Sequence, residues 1–166
     1  MSSSIYFAIP LMAVLAIVQT AVLPYFPILG MTPQLPFLVS ISWALLRGID
    51  EGVIWAFIAG LFLDLMSVTP IGVTSLSFMF GILAVIWVQQ AIPTSRFLLP
   101  VILAFSATLV ALLVNILLLR TLQLVVDLSA LSALFPMTLL HAVLILPVYW
   151  TAYWIDRTIR PRKVTV

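Results

Sequence analysis

The sequence predicts an all-α polytopic membrane protein, a bundle of six transmembrane helices joined by short loops. Three observations carry that expectation: 64% of the 166 residues are hydrophobic, only 7% are charged, and the mean hydropathy is +1.32. An ordinary soluble domain has roughly a quarter of its residues charged. Disorder is excluded, because it requires low hydrophobicity and high net charge. The seven Lys and Arg residues are too few for the basic field of a nucleic-acid binder. A spanning helix takes about 20 apolar residues, so six would consume roughly 120 and leave only short connections, with no room for a soluble catalytic domain. The absence of cysteine removes disulfides, thiolate nucleophiles, iron–sulfur clusters and cysteine zinc sites together.

The first apolar stretch covers residues 5–23. It lacks a basic leader and a cleavage site, so a retained helix is expected rather than a signal peptide. Next comes a segment from Pro24 to Pro36 with prolines at 24, 27, 33 and 36. These rule out a regular helix, and a structured loop at the membrane surface is expected. The second span covers residues 36–47, starting at Pro36, a favoured first-turn residue. Its length is about 18 Å, short of the roughly 30 Å hydrocarbon core. It therefore starts earlier, crosses a thinned region, or is a half-helix, and five spans are the alternative to six. The remaining spans cover 52–66, 73–92, 97–119 and 134–155, bounded by Pro, Gly or charge, with a basic tail over 156–166. No internal repeat is visible, and residues 1–166 read as one transmembrane domain. Between the last two spans, Arg120, Gln123 and Asp127 fall at helical spacing. This is either an amphipathic turn along the interface or an extension of the fifth helix.

With six spans, Arg47 and Arg96 share a side with the tail Arg157, Arg160, Arg162 and Lys163, leaving Arg120 alone on the other. The positive-inside rule then puts both termini in the cytoplasm.

Several catalytic constellations are missing. No glycine begins a Gly-x-Ser or Gly-x-Gly pattern, which removes the nucleophile elbow, the phosphate loop and the dinucleotide fingerprint. A single histidine excludes paired-histidine metal sites, and no cofactor is expected. The adjacent Asp50 and Glu51 are expected to be a solvated pair in the loop beside Arg47.

The third span carries the most informative pattern. Gly52, Ala56, Gly60 and Asp64 recur every four residues along one helical face. Small residues in a row let a second backbone approach closely, which is how helices associate in lipid. A carboxylate inside a span costs at least a few kcal/mol on insertion scales, so it should face protein and have a partner. Asp64 also lies near a helix C-terminus, where the macrodipole disfavours negative charge. The turn through Pro70 and Gly72 brings the next helix start nearby, and its free N–H groups are natural donors to the carboxylate. Tying two helices together, binding a partner or substrate, and relaying protons all remain open as roles for Asp64.

Counting depth along the helices places Gln19, Asp64, Asn115 and His141 in the same outer half of the membrane. Ala107, Ala111 and Asn115 form a second four-residue row ending in a polar group. The two rows are candidates to pack on each other, and Arg120 is a candidate counter-ion for Asp64. The functional reading is an outward-facing polar cleft of Gln19, Asn115, His141 and Arg120. The simpler reading has each group satisfied separately by helix–helix hydrogen bonds.

The stretch from Gly52 to Val73, with Gly60, Asp64, Pro70 and Gly72, resembles the signature of the bacterial rod shape-determining protein MreD family, in which a glycine precedes an acid by four residues and a turn ending in Gly follows about eight later. The short Pro-initiated second helix, Arg47, the overall length and the basic tail fit the same layout. The pattern departs at His141, where an amide is expected in the final helix. MreD proteins are similar in helix arrangement to the substrate-binding components of energy-coupling-factor vitamin transporters, and this supplies a competing reading. Those components often carry an Ala-x-x-x-Ala face on the first helix. Here Ala8, Ala13, Ala16 and Ala21 never fall four apart, and Ala16 with Thr20 is a weaker pair.

The resemblance implies a non-catalytic subunit of the cell-wall elongation machinery in the bacterial cytoplasmic membrane. Its implied partner is an MreC-like single-span membrane protein. Through that partner it would influence the peptidoglycan glycosyltransferase and transpeptidase pair and the MreB filaments.

Overall fold

The computed structural model describes residues 3–91, 98–124, 132 and 134–159. These residues form six α-helices and one short 3-10 turn, with no strand among them: α1 (Ser3–Ala21), the 3-10 turn (Leu23–Tyr25), α2 (Leu35–Arg47), α3 (Ile49–Leu65), α4 (Val73–Ala91), α5 (Leu99–Thr121) and α6 (Leu134–Ile159). Arg96, the segment around Asp127 and the tail from Arg160 onward lie outside the described residues. Helices α1, α5 and α6 are long and apolar enough to cross a membrane. The chain is thus a helical membrane protein.

The short second span is α2, whose 13 residues reach only about 20 Å. Its position accounts for that length. α2 packs against every other helix, while α1, α3, α4, α5 and α6 follow one another around it in that order. Among the described residues α1 and α6 do not meet, so the ring is open at that seam. Phe37, Leu38 and Ile41 of α2 are fully buried, and Phe37 stacks on Phe78 of α4 with ring centroids 4.3 Å apart. A helix surrounded by protein does not have to match the bilayer thickness, because its ends face other chain segments rather than lipid.

One end of the bundle gathers the start of α1, the α2–α3 junction and the end of α6. Only Gly48 separates α2 from α3. Its φ of +99° is left-handed backbone that suits glycine, and its N–H reaches the Ala44 carbonyl at 3.0 Å. The expectation that Asp50 and Glu51 sit in a loop is corrected here, although Asp50 is exposed as expected. α3 begins at Ile49, three residues before the expected start, so both acids occupy its first turn, where the helix dipole favours negative charge. Glu51 also accepts hydrogen bonds from Ser4 Oγ at 2.6 Å and Trp43 Nε1 at 3.0 Å. Arg47 pairs with Asp156. That contact belongs to the helix rather than to a tail, since α6 runs on to Ile159 and carries Arg157 in its last turn. The opposite end holds the proline-rich loop, the α3–α4 turn, the end of α5 and the start of α6.

Candidate functional site

All four residues of the α3 row, Gly52, Ala56, Gly60 and Asp64, are buried. The row serves two neighbours at two heights. A Cβ on Gly52 would collide with the Ala44 methyl of α2, and one on Gly60 would collide with the Thr74–Ser75 backbone of α4. The expected packing of this row on Ala107, Ala111 and Asn115 does not occur, because α4 lies between and α3 and α5 make no contact among the described residues. The α5 row meets α4 instead, at Gly81, where a Cβ would lie 2.7 Å from the Ala107 carbonyl oxygen and 3.0 Å from Ala111 Cβ.

Asp64 ends the row with its side chain 2% exposed. Its Oδ2 accepts from the Gly72 N–H at 2.8 Å and from the N–H and hydroxyl of Ser75, both at 3.3 Å. Its Oδ1 accepts from the Thr74 N–H at 3.1 Å and Thr69 Oγ1 at 3.4 Å. The carboxylate therefore sits on the free N–H groups opening α4, whose positive dipole end offsets the unfavourable C-terminus of α3. Gly72, at φ +101°, makes the sharp entry into α4 that aims its N–H at the acid. Pro70 stands exposed in the turn, and its carbonyl accepts the Val73 N–H at 3.3 Å. Arg120 is not the counter-ion. It is exposed at the end of α5, and Asp64 has its lone pairs filled by amide and hydroxyl donors instead.

Gln19 and His141 act on α2. Gln34, the residue that would cap α2, gives no side-chain cap bond, and Pro follows in the first turn. The two N–H groups at this helix start find acceptors on other helices. The Leu35 N–H donates to Gln19 Oε1 of α1 at 3.0 Å, and the Gln34 N–H donates to His141 Nε2 of α6 at 2.9 Å. Since Nε2 accepts, the neutral ring carries its proton on Nδ1, which faces Thr108 Oγ1 of α5 at 3.0 Å. His141 is fully buried and Gln19 is 9% exposed. One signal for this arrangement lay in the sequence: Pro33-Gln34-Leu35-Pro36 offers no Ser, Thr, Asp or Asn at the helix start, so its donors need acceptors from elsewhere.

Gln19 and Asn115 line one cavity of about 490 Å3, walled by α1, the start of α2, the end of α3, and α4 and α5. Thr69 and Thr74, which donate to Asp64, line it too, so the buried carboxylate lies just behind its wall. His141 is placed behind Gln34 and does not line it, and Arg120 stays outside. The four residues of the expected cleft thus divide: two face the cavity, one braces α2 from behind, and one is exposed elsewhere. No group of three or more metal-ligating side chains occurs among the described residues. Asp64 and His141 both engage backbone donors at helix starts, an arrangement that joins elements.

No curated protein and no solved structure matches the chain. The family model for rod shape-determining protein MreD matches residues 1–155. With that match over nearly the whole length, on an all-helical membrane protein braced by Asp64, the chain belongs to the MreD family of rod shape-determining proteins.

Proposed function

We propose that this chain is a non-catalytic membrane subunit of the bacterial cell-wall elongation machinery, scaffolding or regulating peptidoglycan synthesis through an MreC-like single-span partner. Through that partner it acts on the glycosyltransferase and transpeptidase pair and on MreB filaments. It lies in the inner membrane with both termini cytoplasmic, the side to which the positive-inside rule assigns Arg47 and Arg157. The row Gly52, Ala56, Gly60 and Asp64, with the turn through Pro70 and Gly72, holds the helices in the form the partner recognises.

The observation that carries this reading is the saturation of Asp64. Five donors surround its two oxygens, so the intramembrane acid is committed to joining α3 to α4 and has no lone pair aimed at a substrate. The transporter reading draws less support. Ala8 and Ala16 of α1 are turned fully inward, while its outward face carries Tyr6, Val14 and Ile17 at 72%, 57% and 51% exposure. No small-residue coupling face is presented there.

Depletion in the source bacterium tests the role. Rod-shaped cells are expected to round up, and a requirement for a vitamin in their place would favour the transporter. Asp64→Ala is expected to reduce recovery of an MreC-like partner in co-purification. Full recovery with a normally produced Asp64→Ala protein would remove Asp64 bracing from the account.

A further inference from the structure

We infer that the cavity between α1, α2, α3, α4 and α5 binds an uncharged amphiphile, a ligand with hydroxyl, ester or amide oxygens on one side and hydrocarbon on the other. The volume of about 490 Å3 lies within the range of small-molecule sites, about 300–1,000 Å3. Its polar wall has unused hydrogen-bonding capacity. Gln19 is 9% exposed and gives its Oε1 to the Leu35 N–H, yet its Nε2 donors have no partner among the described residues and the residue lines the cavity. Asn115, also on the wall, has its whole amide free of protein partners among the described residues. These groups open onto the cavity, where ligand oxygens can reach and meet them.

The charge balance narrows the ligand class. Among the described residues no ionised side chain lines the space: Asp64 sits behind the wall, 2% exposed with both oxygens engaged, and Arg120 does not reach it. A charged ligand would enter without a counter-charge, which the membrane interior penalises heavily. Leu63, Phe78 and Leu112 supply the apolar side. A neutral lipid and a soluble neutral polyol both offer the oxygens, and only the lipid also fills the apolar side. This inference rests on the cavity alone and stands or falls separately from the rod-shape role.

The test uses the full chain in phosphatidylcholine nanodiscs with three probes: 1-monooleoylglycerol, glycerol, and oleoyl lysophosphatidate. Native mass spectrometry is expected to retain one equivalent of 1-monooleoylglycerol. Asn115→Leu should weaken that binding at least tenfold, and Leu112→Trp, which fills the space, should abolish it. Saturable glycerol binding that is lost in Asn115→Leu would also support the site and would identify the oxygens alone as sufficient. Three outcomes would overturn the proposal: no retention of either neutral probe, lysophosphatidate bound as tightly as 1-monooleoylglycerol, or full binding in a variant whose melting temperature matches the parent. Either variant decides the matter if the other fails to fold.

Discussion

Asp64 meets the two conditions a buried carboxylate must meet: it is out of lipid, and every oxygen has donors. Asp64→Ala would orphan the N–H groups of Gly72, Thr74 and Ser75, each at a cost on the order of 1–3 kcal/mol. A large drop in melting temperature in detergent is expected, with Asp64→Asn falling between because one acceptor oxygen survives. The small residues can be tested by compensation. Gly52→Ala introduces a methyl against the Ala44 methyl, and overpacking of this kind costs about 1–3 kcal/mol. Ala44→Gly in the same chain removes the methyl but leaves the Ala44 Cα 2.7 Å from the new Cβ, so it should recover only a small part of that loss, a coupling that a double-mutant cycle of thermal unfolding measures. Gly60→Leu should have no such rescue, since it meets the Thr74–Ser75 backbone rather than a removable side chain. The periodic row and its terminal acid were legible because period and chemistry coincide in one short stretch. The identity of what each small residue touches was not, because small side chains are compatible with many neighbours.

α2 shows how a helix too short for the bilayer is held. Its start borrows acceptors from α1 and α6 through Gln19 and His141, and its end is tied by Arg47 to Asp156 of α6. His141→Phe leaves the part-buried Gln34 N–H unpaired and should cost about 1–3 kcal/mol, whereas Gln19→Leu should cost less, because the Leu35 N–H keeps the Pro33 carbonyl at 3.1 Å. Hydrogen exchange should accelerate first in the opening turn of α2, while the amides of α5 stay protected. Uniform loss of protection throughout the bundle would mean that these residues hold the whole fold rather than α2. The Arg47–Asp156 pair is only partly buried, with both side chains more than a fifth exposed, and such pairs contribute roughly 0–1 kcal/mol. The length and Pro start of α2 were readable in the sequence, but its central place was not, since a stretch that is apolar throughout does not say which neighbours surround it.

For the whole molecule, the proposed orientation follows from charge, and the absence of cysteine makes it directly measurable. A single Ser67→Cys, in the exposed α3–α4 turn, should react with a membrane-impermeant maleimide in intact cells. Thr158→Cys, exposed near the end of α6, should react only after the membrane is opened. The reverse pattern would invert the topology and place the cavity on the cytoplasmic side.

Composition by itself determined that this chain lives in lipid as a helical bundle, because nothing else accommodates so much hydrocarbon with so few charges. The spacing of Gly60, Asp64 and Gly72 determined that an acid closes a row of small residues at a turn, and pointed to the family. Tertiary structure alone decided that α2 is the hub, that α4 separates the two small-residue rows, and that Gln19 and Asn115 share a cavity while Arg120 stands apart. The physical reason is that helices apolar on every side carry no directional signal along the chain. Their azimuths and neighbours are set by close backbone approach and by the few buried donors that must each find an acceptor.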